Sequence, residues 1–422
     1  MKIALFVLIL MHISPSLFAQ NIIGDWKGNI DINGMHLPIV FHFTKDDSGN
    51  TTGKWDSPKQ NANGLPFSAI KIDRDSVHLE IKMINGSYRG SFVNKDSISG
   101  LWNQNEHEIP LKFARTKNEQ TEKAVYVYQN EKEISITSAV GSKLYGTLLS
   151  KNNQQKTAII VAGSGPTDRN GNSAISTPTN EYKLLAHSLD SQNIATFRYD
   201  KRGVAKSISA DFKESDMVFE DYVHDAGKIF DYLHDTLGFK NIYFIGHSEG
   251  SLIAMLASQK KKVAGYISVA GAGRPIDVIL EEQIQKQPLP DSVKQQIPLV
   301  FNQLKQGKEV SNFPEMLAPL FRKSIQPYMI SWLKYSPENE IKKLKCPILI
   351  IQGGCDIQVS TEDADNLHNA NKKSILDIIP AMSHTLKDAG KDCEDQNKTY
   401  SDGSLPIDPV LVGDIVKFIR KN

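Results

Sequence analysis

Between residues 22 and 115 the apolar positions recur with a period of two. In Val77-His78-Leu79-Glu80-Ile81-Lys82-Met83 every odd position is apolar and every even one polar. Ile39, Phe41 and Phe43 repeat the alternation, and Leu111 and Phe113 close it. Turn-forming clusters separate the runs at 47–50, 61–64, 85–86 and 94–96. Short alternating runs between turn residues predict an antiparallel all-β unit, a small barrel or a sandwich. A polar stretch without apolar period, 116–124, follows and reads as a linker.

From residue 125 to 422 the texture changes. Continuous apolar runs at 157–162, 194–199, 241–245, 263–270, 347–352 and 374–379 alternate with amphipathic helical stretches. One such stretch is 219–237, where Tyr222, Ala226, Ile229 and Leu233 fall on one helical face. Unbroken apolar strands separated by helices predict a mainly parallel sheet covered on both faces. The gap between the strands ending at 270 and starting at 347 is far longer than an ordinary connection of about 2–6 residues. It must hold structure of its own, read here as a helical cap over 274–342, with Phe301, Leu317, Phe321, Tyr328 and Trp332 as its core or pocket residues.

The first twenty residues form a separate element. Lys2, the apolar run 3–11 and a small residue at Ala19 have the layout of a secretory signal, too short to cross a bilayer. The expectation is export to a periplasm or outside the cell. Lys2 is the only charged residue there, so the net charge of +1 over 422 residues falls to zero beyond it. A neutral chain does not suit nucleic-acid binding, and a mean hydropathy of -0.34 excludes a multi-span membrane protein. The three cysteines cannot make a disulfide scaffold, but export permits one bridge. Cys355 and Cys393, on segments expected to meet in space, are the favoured pair over Cys346.

The chemistry enters at Gly246-His247-Ser248-Glu249-Gly250, which follows the strand 241–245 and leads directly into a helix. Strand, sharp turn and helix with small flanking residues is the frame of a nucleophile elbow. Ser248 is the candidate nucleophile. The Glu249 amide at the helix start is a candidate oxyanion donor. A serine hydroxyl needs a base, and the base an orienting carboxylate. His368 and His384 follow Ser248 in the chain. His384 sits in a loop after the strand 374–379, whereas His368 lies in a polar helical stretch, so His384 is the expected base. Asp356 is the first carboxylate after the strand 347–352 and is the expected acid. Asp363 and Asp365, further on, read as solvated or helix-start charges. The turn Gly163-Ser164-Gly165-Pro166 after the strand 157–162 offers the Ser164 amide as second donor. Asp168 and Arg169 beyond it read as an ion pair holding the loop, with a substrate contact as the other reading.

In this order the motifs resemble those of the α/β-hydrolase superfamily. The finer resemblance is to secreted bacterial esterases and serine-aminopeptidase-like hydrolases with an N-terminal β domain. It rests on Gly163-Ser-Gly-Pro-Thr-Asp-Arg-Asn-Gly-Asn172, Arg198-Tyr-Asp-Lys-Arg-Gly-Val-Ala-Lys-Ser207, the Gly-His-Ser-Glu-Gly elbow and Ser383-His-Thr-Leu-Lys387. Gly24-Asp25-Trp26 is similar to the Gly-x-Trp opening of lipocalin-like barrels. The resemblance implies a triad of Ser248, Asp356 and His384 acting on a small-molecule carboxylic ester. Ala205 departs from the pattern, standing where a glycine is usual. Two alternatives remain: an aminopeptidase or amidase with the same triad, for which Glu281 and Glu282 could grip a free amine, and a non-catalytic binding protein. No metal spacing, phosphate loop or dinucleotide fingerprint is present, so no cofactor, metal or nucleic-acid partner is expected, and no membrane-spanning segment.

Overall fold

The computed structural model describes residues 21–422 except 33–34, 47, 58–61, 83–85, 105–106, 117–129, 139, 152–153, 174–177, 210 and 288. The signal reading at 1–20 and all but the first residue of the linker lie outside the described residues. The chain divides into two compact units, one ending at Val125 and the other beginning at Tyr126.

The first unit is a single nine-stranded antiparallel sheet. Its strands are β1 (Gly24–Ile32), β2 (Met35–Lys45), β3 (Thr51–Ser57), β4 (Ala62–Pro66), β5 (Ala69–Asp73), β6 (Ser76–Ile81), β7 (Gly86–Asn94), β8 (Ser97–Gln104) and β9 (His107–Arg115). The spatial order is β4-β3-β2-β1-β9-β8-β7-β6-β5, a meander closed through the β1–β9 pair. Residues 62–64 of the stretch read as a turn instead supply the start of β4. One continuous sheet means that the two-sheet sandwich is not the form adopted. The alternation places Trp26, Phe41, Phe43, Trp55, Tyr88, Trp102 and Phe113 on the buried face. The sheet curls, bringing Trp55 of β3 within 6.4 Å of Trp102 on β8 between ring centroids. The enclosed space is packed with aromatic rings: Phe41 stacks on Phe113 at 4.1 Å.

The second unit carries a mixed sheet of β10 (Glu131–Thr137), β11 (Lys143–Leu149), β12 (Lys156–Val161), β13 (Ala195–Tyr199), β14 (Asn241–His247), β15 (Gly265–Val269), β16 (Ile348–Gly353) and β17 (Ile375–Ile379), in the order β10-β11-β13-β12-β14-β15-β16-β17. The pairs from β13 through β17 are parallel, and β10, β11 and β13 pair antiparallel at one edge. The apolar runs of the sequence are the parallel strands; β12 to β16 are buried along nearly all their length, as a sheet covered on both faces requires, whereas the edge strand β17 is only partly buried. The helices are α1 (Glu181–Ser191), α2 (Phe219–Asp231), α3 (Glu249–Lys260), α4 (Ile276–Gln285), α5 (Asp291–Lys294), α6 (Ile297–Lys305), α7 (Ala318–Phe321), α8 (Gln326–Trp332), α9 (Pro337–Ile341), α10 (Thr361–Ala370), α11 (Gln396–Thr399) and α12 (Pro409–Lys421). Helix α3 is apolar on all sides and is buried from Glu249 to Ser258. The stretch between β15 and β16 is helical, from α4 to α9. This architecture is the α/β-hydrolase fold.

Cys355, at the end of β16, is bridged to Cys393, and Cys346 is free. The bridge ties the loop after β16 to the segment beyond His384. Gln396 Nε2 reinforces the tie by donating to the Cys355 carbonyl at 2.8 Å. Closing a loop across a sequence separation of 38 lowers unfolded-state entropy by an amount worth about 4 kcal/mol in the chain-entropy model. A Cys355→Ser/Cys393→Ser variant is therefore expected to lose about 2–4 kcal/mol of stability, read as a lower denaturant midpoint with a somewhat steeper slope, because the unlinked unfolded chain exposes more surface.

Candidate active site

Ser248 is the residue between β14 and α3, with φ 53° and ψ -124°. A non-glycine residue rarely holds this backbone, and here its neighbours over-determine it. Its amide donates to the Val269 carbonyl at 3.0 Å. A Cβ on Gly246 would lie 2.3 Å from the Gly250 carbonyl oxygen, and one on Gly250 would lie 2.2 Å from that of Val161. Both glycines of the elbow are thus fixed by backbone crossing backbone, which no side-chain adjustment relieves.

His384 and Asp356 meet across the ends of β17 and β16. His384 Nδ1 donates to Asp356 Oδ2 at 2.8 Å. Asp356 Oδ2 also accepts from Gln352 Nε2 at 3.0 Å, and Oδ1 accepts from the amides of Gln358 at 2.8 Å and Val359 at 3.0 Å. Burial alone would raise the Asp356 carboxyl, but the His384 charge, its hydrogen bond and these amides hold it below its ordinary value. His384 and Ser248 line one cavity of about 180 Å³. His368, by contrast, sits on α10 with Nδ1 on the Ser374 hydroxyl at 2.9 Å. Asp363 is the helix-start charge, in the first turn of α10, and not a solvated one: it is buried and bound by Arg274, whose Nη2 approaches to 2.9 Å, and by the Gly273 amide at 3.0 Å. Arg169 pairs with Asp200 at 2.6 Å rather than with Asp168, which instead accepts the amides of Asn170 and Asn172 within its own turn.

The two candidate oxyanion amides are held by a network that sequence reasoning missed. Lys201, after β13, is 1% exposed. Its Nζ donates to the Gly163 carbonyl at 2.5 Å and lies 3.6 Å from Glu249 Oε1, which also accepts the Tyr328 hydroxyl of α8 at 2.5 Å. Burial lowers the Lys201 pKa, against the pull of Glu249. A trans peptide sets its C=O and N–H in opposite directions. The Gly163 carbonyl and the Ser164 amide belong to one such plane, so the lysine that fixes the first also fixes the second. One ammonium thus touches both residues that supply or orient the donors.

His247, the residue before the nucleophile, is the second missed element. Its Nε2 donates to the His384 carbonyl at 2.9 Å, and its Nδ1 accepts from the Tyr182 hydroxyl at 2.8 Å. Tyr182 in turn accepts the Gly163 amide at 2.9 Å. Burial drives the His247 pKa down to about 3, so the ring stays neutral and keeps this donor–acceptor order. The loop bearing His384 and the turn bearing Ser164 are thereby tied through one imidazole.

Two cavities meet at Ser248. The first, which includes His384, is walled by polar groups, among them Ser173, Thr179, Glu181, Thr385 and Tyr400. The second, about 510 Å³, is lined by Ile276, Ile279, Leu280, Met329 and Trp332 of α4 and α8, beside Ser164 and Glu249. Of the five cap residues singled out in the sequence, Tyr328 and Trp332 face this cavity, whereas Phe301, Leu317 and Phe321 are buried in the cap's own core. Among the described residues no group of three His, Cys, Asp or Glu could hold a metal, and no helix is long and apolar enough to cross a membrane.

The fold, the elbow and the order of its partners define a member of the α/β-hydrolases. Within that class, residues 177–388 match the model of the serine aminopeptidase S33 family, and the chain belongs to that family. It is 25% identical over 217 residues to Esterase EstD of Thermotoga maritima, a match covering 49% of this chain and 48% of that one. The chain thus spans about half the length of the curated relative it matches. Among solved structures it is similar to Est1E from Butyrivibrio proteoclasticus with ferulic acid bound, at 20% identity and a TM-score of 0.46, over 68% of this chain and 100% of that one. The Pyrococcus furiosus esterase Pf2001 aligns at 16% identity and a TM-score of 0.44, over 69% and 92%.

Burial pushes the Glu181 carboxyl up to about 7 from an ordinary 4.5, opposed by the Thr179 hydroxyl and by the charges of Lys387 and His384. The folded state therefore holds this proton more tightly than the unfolded one. Its contribution to stability is fully present at low pH and is lost as pH rises through about 7. Glu181→Gln is expected to gain in Tm relative to the parent between about pH 5 and pH 8, measured by thermal melts across that range.

Proposed function

We propose that the chain is an exported serine hydrolase that cleaves carboxylic esters. The reading rests above all on Ser248, held at φ 53° on the elbow, sharing a cavity with a His384 whose Nδ1 is engaged by Asp356. Asp356 fixes the imidazole tautomer and leaves Nε2 as the base. In this mechanism His384 takes the Ser248 proton as Oγ attacks the acyl carbon. The developing oxyanion is met by the amides of Glu249 and Ser164. His384 then returns the proton to the leaving alcohol, and water repeats the sequence to release the acid.

The acyl group belongs in the apolar cavity under the cap, because that cavity adjoins both donor residues and Ser248. Its charges favour an ester acyl chain over a free amine. The Glu249 carboxylate is engaged by Lys201 and Tyr328. Glu282 is clamped by Arg274 and does not line the cavity, nor does Glu281. Export is supported by the N-terminal pattern and by a bridge of the kind that persists in oxidising compartments.

Ser248→Ala is expected to lower kcat on a short-chain aryl ester by about ten-thousand-fold or more, and Asp356→Asn by a similar factor. A wild-type protein with no Ser248-dependent turnover of esters defeats the reading. Faster Ser248-dependent cleavage of aminoacyl anilides would move the assignment to an aminopeptidase. Lys201→Met is expected to lower kcat by about a hundredfold with little change in KM, the signature of lost oxyanion stabilisation. The double variant Lys201→Met/Glu249→Gln, which leaves no unpaired buried charge, controls for misfolding.

A further inference from the structure

The two cavities at Ser248 differ in chemistry, and their positions relative to the base assign them different halves of a substrate. In acyl transfer the base returns its proton to the leaving group, so the leaving group lies on the histidine's side of the serine. His384 lines the smaller cavity and not the larger one. From this arrangement we propose that the smaller cavity is a leaving-group site built for a hydroxyl-rich alcohol, such as a glyceryl or sugar moiety, so that the substrates are acyl esters of polyols. The proposal rests on the ester-hydrolase reading above and names its substrate class.

The cavity's walls are groups that both give and take hydrogen bonds. Thr179 and Glu181 come from the entrance to α1, Thr385 from the residue after the base, and Tyr400 from beyond α11. Glu181 is 6% exposed, and the Thr179 hydroxyl donates to its Oε2. A Cβ on Gly171 would lie 2.4 Å from the Glu181 carboxyl carbon, so this glycine is what leaves room for the carboxyl. Tyr400 Oη accepts from Gln358 Nε2 at 3.1 Å, one residue pair from Asp356. The Thr179 and Thr385 hydroxyls have partners inside the protein, but an alkyl leaving group would leave the remaining capacity of the Glu181 carboxyl and the Tyr400 hydroxyl unmet, at a cost for each unmade hydrogen bond. A polyol offers vicinal hydroxyls that match mixed donors and acceptors. A cationic leaving group fits less well. The single carboxyl is already hydrogen-bonded, its environment favours the protonated form, and the positive fields of Lys387 and His384 lie nearby.

The test uses esters with one shared acyl group and different alcohols: ethyl, p-nitrophenyl, choline, glyceryl and monosaccharide butyrates. For the full chain, kcat/KM is expected to be at least about tenfold higher for the glyceryl or sugar ester than for the ethyl ester. Glu181→Leu and Tyr400→Phe, which remove hydrogen-bonding capacity from the cavity wall, are each expected to reduce that ratio by at least about fivefold, whatever they do to absolute rates. Two variants from separate segments guard against failure of either to fold. Free glycerol or the free sugar should inhibit wild type competitively more strongly than ethanol. Ser248-dependent cleavage of the p-nitrophenyl ester without polyol preference, or with preference for the choline ester, overturns this proposal and leaves the esterase reading standing. No Ser248-dependent cleavage of any ester overturns both.

Discussion

The site depends on a buried ammonium. Taking Lys201 out of water carries a penalty of several kcal/mol that only close partners offset. Those partners come from three parts of the chain: the turn after β12, the first residue of α3 and the cap helix α8. Gly163 supplies a carbonyl, Glu249 a carboxylate, and Tyr328 shares that carboxylate. The lysine finds its partners only when elbow, oxyanion turn and cap are all in place. Removing one member leaves an uncompensated charge beside the nucleophile. Through Tyr328 the cap is tied to the residues proposed as oxyanion donors, and it also walls the larger cavity at Ser248.

A second constraint is steric. Ser248 holds a left-handed backbone, and the glycines around it are places where chain passes against chain. A Cβ on Gly163 would come within 3.1 Å of Ser248 Cβ. With Gly246 and Gly250 packed against backbone atoms, the elbow has no soft direction in which to relax. His247 adds a polar brace, a neutral ring bridging Tyr182 and the His384 carbonyl. Its neutrality follows from burial, and the direction of both hydrogen bonds follows from its neutrality. The strain at one residue is thus held by packing and by one imidazole.

Much of this frame was legible because it is written locally. Apolar runs of strand length, a strand-to-helix turn with flanking glycines and a histidine after the last strand are features of neighbouring residues. The edge strand β10 was not legible, since Glu131, Lys132 and Glu133 break an apolar run on a strand that needs only one buried face. Lys201 stands in a motif without a role in the sequence reading, because its partners lie 38 and 48 positions away and its acidic neighbour Asp200 pairs with Arg169 instead. Arg169 was paired with its neighbour when its partner is Asp200, a contact only the sheet brings about. Ala205 shows the reverse. The expected glycine marked a left-handed position, and the alanine adopts it, with φ 44°.

Two carboxyls lie near His384, and their surroundings push them apart. Asp356 receives a histidine, an amide side chain and two backbone amides, and is held ionised. Glu181 is buried in the cavity wall with the Thr179 hydroxyl donating to it, and burial raises its pKa to about 7. Environments that separate two acids in this way separate their roles. An ionised Asp356 holds the imidazole, whereas a carboxyl that keeps its proton near neutrality has a hydrogen to donate and a carbonyl to accept. It adds little negative charge to compete with Asp356 for His384. A fully ionised acid in the same place would stabilise imidazolium before attack and so weaken the base. Burial of Glu181 therefore lets the proposed leaving-group site be polar without disabling His384 as the proposed base.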